Sequence, residues 1–235
     1  MSASYCVGVV IPAGGRGTRF GADIPKQYLE LSGVPIIVRS VQTALLVDGL
    51  YSLVIAVQPE EIEHVRTLLQ THHCSDSRVH VTAGGAERHL SVAKGLMHPS
   101  LDEVDVVLIH DAVRPLASVG LFNEVGRAAH MHGAAIPVIS VTDTLKRVDD
   151  RGVVIETVDR SSMRRAQTPQ GFTRERIRAI YATAIERGVS ATDCSSLCEQ
   201  SGVEVYAVGG EEHNIKITTP FDRALASLLL DKNLL

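Results

Sequence analysis

The sequence predicts an α/β fold: a Rossmann-like, mostly parallel sheet with helices on both faces and an inserted β-hairpin arm. Short runs rich in β-branched residues alternate with segments whose apolar residues recur every three or four positions, which is typical of such a sheet. Polar or glycine-rich turns follow several of the runs directly, and one charged stretch interrupts the alternation after Val141. We expect residues 1–235 to form a single domain, because α/β folds of this length often share one core.

Five apolar runs have the length and the β-branched content of strands buried in a parallel sheet. They are Cys6–Ile11, Ser52–Val57, Arg78–Thr82, Val104–His110 and Ala134–Val141. Between them, four segments carry apolar residues at helical spacing: Ile36–Leu46, Glu60–Gln70, Arg88–Met97 and Val119–Met131. Pro35, Pro59 and Ser118 are suitable start signals for three of these helices. Ligands bind at the carboxyl ends of strands in such sheets, so the loops after these runs are the candidate functional segments.

The predicted arm covers about residues 142–160, a polar stretch with weak periodicity. The turn signal Asp149-Asp150-Arg151-Gly152 separates Leu145–Val148 from Val153–Ile155, which predicts a β-hairpin. Helical periodicity returns after the arm, and one more strand is predicted. These last elements are the helices Glu175–Glu186, Ser195–Gln200 and Phe221–Leu230, and the strand Val203–Val208.

The composition excludes several classes of protein. Hydrophobic residues make up 45% of the chain and charged residues 21%, as in globular rather than disordered proteins. The net charge of -4 argues against a nucleic-acid partner, and no apolar run is long enough for a membrane span. The N-terminus does not have the pattern of a signal peptide. Four cysteines without metal-ligand or disulfide spacing indicate a reducing cytoplasm: Cys6, Cys74, Cys194 and Cys198.

A glycine-rich loop follows the first predicted strand, with the sequence Pro12-Ala13-Gly14-Gly15-Arg16-Gly17-Thr18-Arg19. Glycines allow backbone N–H groups to approach phosphate oxygens closely. The loop lacks the Gly-Lys-Ser/Thr ending of a Walker motif, and its spacing does not match the dinucleotide fingerprint. The glycines alone are weak evidence, but Arg19 and Lys26 nearby favour an anion site, because arginine and lysine both bind phosphate oxygens.

Two further predicted strands are followed by polar motifs. Gly84-Gly85 permits backbone approach to a planar base, and Ser91 lies one turn into the next helix, where it can donate or accept a hydrogen bond. Asp111 and Arg114 follow the fourth strand, and a carboxylate there can hold Mg²⁺ beside phosphates. A turn or cap role for Asp111 remains open. His110 is better explained as a buried, hydrogen-bonded histidine than as a catalytic base.

Arg160 and Lys216 are the remaining candidate cations, although each would be an ordinary surface residue if taken alone. The sequence has no Gly-x-Ser-x-Gly elbow, no His-Glu-x-x-His motif and no evident pair of nucleophile and base. An acceptor that carries a phosphate monoester needs no base, because its second pKa is about 6 and it is largely dianionic at neutral pH. Positioning and charge stabilisation would then suffice for catalysis.

Together these motifs resemble the 2-C-methyl-D-erythritol 4-phosphate cytidylyltransferases, a family of the non-mevalonate isoprenoid route with a nucleotidyltransferase fold. The resemblance covers nearly the whole chain in order and spacing. Beyond the first glycine loop, the motifs that carry it are Pro25-Lys26-Gln27-Tyr28-Leu29, Gly84-Gly85-Ala86-Glu87-Arg88, Ser91-Val92, His110-Asp111-Ala112-Val113-Arg114-Pro115, Asp143-Thr144-Leu145-Lys146-Arg147, Thr157-Val158-Asp159-Arg160, Thr168-Pro169-Gln170 and Asn214-Ile215-Lys216-Ile217-Thr218. It implies an enzyme that joins CTP to a sugar-alcohol phosphate and releases pyrophosphate.

For CTP, the resemblance implies a cytosine site framed by Pro12, Ala13, Gly14, Gly84, Ala86 and Ser91. Gly15 and Gly17 would face the phosphates, and Arg19 and Lys26 would stabilise charge developing at the α-phosphate. Asp111 would lie near the ribose and Mg²⁺, with Arg114 close behind it.

For the acceptor, the resemblance implies that the catalytic cations Arg160 and Lys216 hold the phosphate of methylerythritol phosphate for in-line attack. Thr144 and Thr168 would line the same pocket. In the family the arm interlocks two subunits, so a homodimer is expected, with Thr144 and Arg160 serving the neighbour's site.

This sequence departs from the family at two positions. Ala86 stands where some members carry Asp, so base recognition there falls to backbone, Ser91 or water. Cys194 replaces an acidic or alanine position, which leaves the role of the loop around Asp193 open. Two alternative functions are a ribitol 5-phosphate cytidylyltransferase, which has similar CTP loops, and a catalytically silent CTP-binding protein. The joint presence of Arg19, Lys26, Arg160 and Lys216 argues against the silent protein.

Overall fold

The computed structural model describes residues 5–15, 24–189 and 191–234. The strands are β1 (Val7–Pro12), β2 (Glu30–Leu31), β3 (Val34–Pro35), β4 (Leu50–Val57), β5 (Val79–Ala83), β6 (Val106–Ile109), β7 (Ala134–Ser140), β8 (Leu145–Val148), β9 (Val154–Val158), β10 (Arg164–Ala166), β11 (Gln170–Thr173) and β12 (Tyr206–Gly209). The helices are α1 (Ile36–Leu45), α2 (Ile62–Thr71), α3 (Arg88–Leu96), α4 (Val119–His132), α5 (Arg174–Glu186), α6 (Cys194–Gln200) and α7 (Pro220–Asp231).

One eight-stranded sheet forms the centre of the molecule, in the order β10-β7-β11-β6-β1-β4-β5, with β12 also paired to β7. The pairs β1–β4, β1–β6, β4–β5 and β7–β12 are parallel, whereas β10 and β11 run antiparallel to β7. Parallel neighbours need crossover connections, and the helices between the strands supply them. The predicted α/β class with a mostly parallel sheet is confirmed.

Alternate residues along the strands face opposite sides of the sheet, as the pleat requires. In β1, Val9 and Ile11 pack into a core with α1, α2 and α4, whereas Val10 packs into a second core with α3, α5 and α6. The helices therefore cover both faces, and each face excludes water from a separate set of strand side chains. A third, smaller core joins α7 to the segment around Leu31 and Val113.

Ser118 caps α4 by accepting a hydrogen bond from the backbone N–H of Leu121, as its residue type predicts. α1 begins directly after Pro35, and Pro59 opens a short 3-10 turn that leads into α2. None of the helices in the described part of the chain has the length and apolar character that a membrane crossing needs.

Two parts of the sheet differ from the prediction. The last strand begins at Tyr206 and not at Val203, because the Val203 N–H is bonded to Cys198 O in the turn that ends α6. The two antiparallel strands were not predicted either: β10 pairs with β7, and β11 lies between β6 and β7. A Cβ on Gly171 would lie 2.9 Å from side-chain atoms of Ala129 and Leu108, so a glycine is needed where α4 crosses this strand.

The predicted arm is present as β8 and β9, which pair antiparallel. Asp149 closes its turn, because the Oδ1 atom accepts hydrogen bonds from the N–H groups of Arg151 and Val153. Gly152 supplies the positive φ of +80° in the turn. Four apolar side chains of the arm are exposed in the single chain: Val148, Val153, Val154 and Ile155.

Candidate active site at the carboxyl ends of the parallel strands

The loops after β1, β4 and β5 converge at one edge of the sheet, as predicted for a parallel arrangement. Gln58 follows β4, and its side-chain amide donates to the carbonyls of Gly14 and, at 3.3 Å, Gly85. Gln27 donates to the carbonyls of Ala13 at 2.9 Å and Gly15 at 3.1 Å. Sequence reasoning missed both glutamines as parts of the site, since a single glutamine carries no pattern of its own.

The first glycine loop and the loop after β5 touch at Ser91, which is buried in α3. The Ser91 hydroxyl donates to Gly85 O at 3.1 Å and accepts from Gly85 N at 3.0 Å. A Cβ on Gly14 would lie 2.9 Å from Ser91 Oγ and 3.2 Å from Gly85 O, and a Cβ on Gly84 would lie 2.8 Å from Ser91 Oγ. Close contact between the loops therefore requires glycine at both positions.

Asp111 is the centre of a charge cluster directly after β6. Its Oδ1 lies 2.8 Å from Arg88 Nε, and its Oδ2 lies 2.8 Å from Lys216 Nζ and 3.9 Å from Arg114 Nε. Asp111 is only 5% exposed. One buried carboxylate therefore faces three cations from three separate parts of the chain, which leaves two positive charges of the cluster without a compensating carboxylate in it.

The electrostatics of the cluster follow from this arrangement. Burial alone would raise the pKa of Asp111, but the positive charges of Arg88, Lys216 and Arg114 outweigh it and hold the pKa far below its usual range. Burial lowers the pKa of the Arg114 guanidinium, against the attraction of Asp111. Asp111 is thus ionised at any pH at which the protein is expected to work.

His110 is buried beside the cluster and is part of a directional chain of hydrogen bonds. The Asp111 N–H donates to Thr168 Oγ1 at 3.0 Å, and Thr168 Oγ1 lies 3.1 Å from His110 Nδ1. His110 Nε2 lies 3.1 Å from Arg114 O, an acceptor, so the ring carries its proton on Nε2 and accepts from Thr168 at Nδ1. Burial lowers the pKa of His110 to about 4, which keeps the ring neutral. The prediction of a buried, hydrogen-bonded histidine is confirmed.

The segment 214–217 supports three of the candidate cations. Lys26 Nζ donates to Ile217 O at 3.0 Å, and Arg114 Nη1 donates to Asn214 O at 2.7 Å. Asn214 is itself fixed, because its side-chain amide donates to Thr168 O at 2.9 Å and to Gln167 Oε1 at 3.3 Å. The structure therefore brings Lys26, Arg114 and Lys216 together, although 190 positions separate the first and the last in the chain.

Other predicted site residues are placed differently. Thr168 lies beside Asp111, but it is buried and its hydroxyl is used inside the protein, so it positions the site and is not free to line an acceptor pocket. Thr144 and Arg160 are exposed on and beside the arm, where Arg160 Nη1 donates to Thr142 O. Within the described residues, no hydrogen bond or ion pair connects these two to Asp111. Gly17 and Arg19 lie outside the described residues.

The backbone groups expected to frame the base lie at the converging loops. Pro12 ends β1, and the Ala13 N–H donates to Ala56 O at 2.7 Å, which continues the parallel pairing one residue beyond the strand. Ala86 is exposed at the mouth of the second loop and has no side-chain donor or acceptor. Lys94, which sequence reasoning did not select, donates to Gly84 O at 2.7 Å.

The predicted role of Asp111 as a Mg²⁺ ligand does not fit this arrangement. Both of its oxygens already bind cationic groups, and a further cation would face three positive charges. Among the described residues, no group of three His, Cys, Asp or Glu side chains could hold a metal ion.

The loop before α6, whose role the sequence left open, is a capping structure. Asp193 caps α6 by accepting from Ser196 N, and its carboxylate also accepts from Gln170 Nε2 at 2.7 Å. Gln170 Oε1 in turn accepts from the N–H groups of Cys194 at 3.0 Å and Ser195 at 3.2 Å. The reciprocal contacts fasten the start of α6 to β11, beside the cluster.

Comparison with known proteins identifies one family. The family model described as 2-C-methyl-D-erythritol 4-phosphate cytidylyltransferase matches residues 7–232. A relative of that name from Rhodococcus jostii is 42% identical over 225 residues, covering 95% of this chain and 94% of the relative. Another from Acidobacterium capsulatum is 38% identical over 230 residues, covering 94% and 96%.

Solved structures agree with the sequence matches. The 4-diphosphocytidyl-2C-methyl-D-erythritol synthase from Anaerococcus prevotii superposes with a TM-score of 0.83 at 29% identity, covering 97% of this chain and 96% of that chain. The 2-C-methyl-D-erythritol 4-phosphate cytidylyltransferase from Thermus thermophilus has a TM-score of 0.77 at 30% identity, covering 96% and 99%. Both likenesses extend over nearly the full length of the chain.

Proposed function

This chain belongs to the 2-C-methyl-D-erythritol 4-phosphate cytidylyltransferase family, and we propose that the phosphates of its two substrates meet at the Asp111 cluster. The reaction joins CTP and 2-C-methyl-D-erythritol 4-phosphate to give CDP-methylerythritol and pyrophosphate, a step of non-mevalonate isoprenoid biosynthesis. Family membership decides between the acceptors in favour of methylerythritol phosphate over ribitol phosphate.

The observation that carries the proposal is the excess of positive charge around one buried carboxylate. Asp111 neutralises one of the three cations that face it, and Lys26 is attached to the same segment through Ile217 O. Such an excess of positive charge favours anionic ligands, here a triphosphate and a phosphate monoester. Their oxygens would replace a carbonyl or water as the hydrogen-bond acceptors of the cations.

The displacement then proceeds without a protein base. A phosphate oxygen of the acceptor forms a bond to the α-phosphorus of CTP, the bond from that phosphorus to the β-phosphate oxygen breaks, and pyrophosphate leaves with the electron pair. Lys26, together with Arg19, stabilises the charge at the α-phosphate, and Lys216 with Arg160 holds the acceptor phosphate. Fixed cations contribute most when they are in place before charge develops.

Cytosine is recognised by the two converging loops. The backbone around Ala13 and Gly14 forms one side of its site, and Gly84 and Ser91 form the other, at the level where the loops touch. Ala86 offers no hydrogen-bonding side chain, and the Ser91 hydroxyl is already bonded to Gly85, so the donors and acceptors that read the base edge are backbone groups or water. Among the described residues, a Cβ on Gly15 would meet nothing within 4 Å, which is compatible with phosphate oxygens beside this residue.

Two further assignments complete the proposal. The enzyme requires Mg²⁺, which enters with CTP. The ion would be bound by phosphate oxygens and water more than by Asp111. The enzyme is a cytoplasmic homodimer held by the arm, whose exposed valines and isoleucine favour a second copy as their cover. The four cysteines are unpaired, in keeping with a reducing compartment.

The test is a coupled assay of pyrophosphate release with CTP and either methylerythritol 4-phosphate or ribitol 5-phosphate. We expect turnover with the first acceptor to exceed turnover with the second by about a hundredfold or more, as for sites that hydrogen-bond their substrate. A chelator should abolish release, and added Mg²⁺ should restore it. Equal or faster turnover with ribitol 5-phosphate would contradict the proposed acceptor.

A further inference from the structure

We infer that Arg88 is a positioning residue of this site: its guanidinium, supported by Cys194, orients Asp111 so that the second carboxylate oxygen holds Lys216 for the acceptor phosphate. The inference rests on the role proposed above for Lys216 and adds to it the residues that keep this lysine in place. Arg88 is the first residue of α3, and Lys216 lies in the segment before α7. Asp111 binds both side chains and so connects these two parts of the chain.

The two carboxylate oxygens of Asp111 bind different cations. Arg88 Nε donates to Oδ1 at 2.8 Å, and Lys216 Nζ binds Oδ2 at 2.8 Å. The side chain of Asp111 is 7% exposed and that of Arg88 is 28% exposed, against 40% for Lys216. The inner, less exposed cation thus sets the plane of the carboxylate, and the outer, more exposed one is presented to solvent, where a substrate arrives.

Cys194 supports the guanidinium from behind. Arg88 Nη1 donates to Cys194 Sγ at 3.6 Å, and Tyr181 OH donates to the same sulfur at 3.2 Å. Cys194 is fully buried, and burial raises the pKa of its thiol, so the sulfur is a neutral acceptor. Its backbone is fixed in turn, because Cys194 N donates to Gln170 Oε1.

Arginine suits this task better than lysine would. Its planar fork donates from Nε towards Asp111 and from Nη1 towards Cys194 at the same time, so two contacts fix one orientation. An ammonium group at this position could keep the ion pair with Asp111 but has no rigid second arm for the sulfur. Arg88→Lys should therefore keep the charge and lose part of the positioning.

The experiment compares Arg88→Met and Arg88→Lys with a control, Arg178→Met. Arg178 is also a partly buried arginine, 19% exposed in its side chain, but it binds Leu96 O and Asp102 outside the site. For each variant, kcat and KM are measured for CTP and for methylerythritol 4-phosphate, together with Tm. The variant Lys216→Met is measured alone and combined with Arg88→Met.

We expect Arg88→Met to lower kcat/KM for the acceptor by about thirtyfold and to change KM for CTP by less than about threefold. Arg88→Lys should recover part of the loss, to about fivefold below wild type. Arg178→Met should lower Tm while leaving kcat/KM within about twofold of wild type. If Arg88→Met does not fold, Arg88→Lys, which keeps the buried charge paired, supplies the same kinetic comparison.

The double variant separates this inference from its premise. If Arg88 acts through Asp111 on Lys216, Arg88→Met should add less than about twofold once Lys216 is Met, because coupled residues are not additive. A full thirtyfold loss in that background, or unchanged acceptor kinetics in Arg88→Met alone, would overturn the inference. Unchanged acceptor kinetics in Lys216→Met would instead contradict the role proposed for Lys216 itself.

Discussion

Asp111 shows how a single residue can take a different role from the one that its position suggests. A carboxylate directly after a strand is a reasonable metal ligand, and the sequence predicts it as such. In the structure both of its oxygens are bound by cations, so its charge is used to hold Arg88 and Lys216. We propose that the residue organises the cations for the substrate phosphates, a role that needs no contact between Asp111 and a metal.

Lys26 is the residue for which we expect the largest single loss of activity. Its ammonium group is held at Ile217 O, 3.0 Å away, beside Lys216. If Lys26 stabilises charge at the α-phosphate, Lys26→Ala should lower kcat by roughly a hundredfold or more, in the range seen for lost electrostatic donors. Steady-state kinetics with both substrates measure this. The exposed Lys232→Ala serves as the control, and a change in KM alone would mean that Lys26 binds only ground-state CTP.

His110 should make the stability of the protein depend on pH. Its pKa is about 4 in the folded protein against 6.5 in the unfolded chain, because burial disfavours the charged ring. The unfolded state therefore binds more protons between these values, and the free energy of unfolding should fall as the pH drops from about 6.5 to about 4. At pH 4.5, protonation of this one group in the unfolded state should have lowered the free energy of unfolding by about 2 kcal/mol.

Urea unfolding at pH 7 and pH 4.5 measures this effect. The variant His110→Asn cannot titrate, so its stability should depend less on pH over the same window, even if it is less stable throughout. Asp111 contributes in another window, because a carboxylate with a lowered pKa loses its stabilisation only at more acidic pH. An equal pH dependence in both proteins would show that His110 is not the group responsible.

At the scale of the elements, the two glycine-rich loops do more than approach phosphates. Gly14 and Gly84 lie against Ser91, and Gln58 joins the loops through the carbonyls of Gly14 and Gly85. The loops form one packed unit, in which space for the base depends on how closely their backbones meet. Glycine at these positions is required for contact between loops, whereas a Cβ on Gly15 would meet no atom of the described residues within 4 Å.

Gly14→Ala should therefore impair CTP binding. The added methyl group would lie 2.9 Å from Ser91 Oγ and 3.2 Å from Gly85 O, and the second of these is backbone that cannot rotate away. We expect KM for CTP to rise by about tenfold or more, because overpacking of this kind costs roughly 1–3 kcal/mol. Steady-state kinetics measure this KM, and calorimetric titration measures the dissociation constant for CTP, which should rise in the same way.

Gly209→Ala is the matched control for this variant. A Cβ on Gly209 meets nothing within 4 Å, and the residue lies at the end of β12. CTP affinity in this variant should equal that of the wild type. If Gly14→Ala also binds CTP normally, the contact between the loops does not shape the base site.

At the scale of the whole molecule, the arm is the feature that one chain leaves incomplete. Within the part of the chain that the structure describes, its two strands pair only with each other, and Val148, Val153, Val154 and Ile155 are between 53% and 60% exposed. An isolated two-stranded hairpin is marginally stable in water, so an apolar partner surface would stabilise it. A second copy of the chain is the partner that we propose.

Association can be tested by placing a charge on the arm. Ile155→Asp would put a carboxylate into the apolar contact, and we expect it to convert a dimer into a monomer at micromolar concentration. Sedimentation velocity gives the mass. Leu46→Asp changes a side chain that is equally apolar and 67% exposed, but on another surface, and should leave the mass unchanged. A monomeric wild type, or a dimeric Ile155→Asp variant, would argue against an interface at the arm.

Mixed dimers test whether the arm also completes the site. Arg160 lies beside the arm and has no described link to the Asp111 cluster of its own chain, so it is expected to act in the neighbour's site. A dimer of one Arg160→Ala chain and one Lys26→Ala chain then has one site with both residues intact. We expect the mixed dimer to have about half of the wild-type activity, so a 1:1 mixture that re-associates at random should return about a quarter. No recovery would indicate sites built within single subunits.

The sequence by itself determined the fold class and the loops that carry the chemistry. Burial on one or two faces leaves periods of 2 and 3.6 in the sequence, so the strands β1 and β4 to β7 and the helices α1 to α4 could be predicted to within about two residues, whereas the two-residue strands β2 and β3 were not predicted. It also located the arm, because a turn signal between two short strands is a local feature. Asp111, Arg114 and Lys216 were predicted as site residues from their motifs.

Only the tertiary structure decided how those residues combine. The strand β11 has little apolar content and no local signal, since its stability comes from pairing with β6 and β7. The contacts of Asp111 with Arg88 and Lys216, and of Arg88 with Cys194, join residues that are between 23 and 106 positions apart in the chain. Hydrogen bonds and ion pairs over such separations impose no period on the sequence, so their partners are known only when the folded chain brings them within about 3 Å of each other.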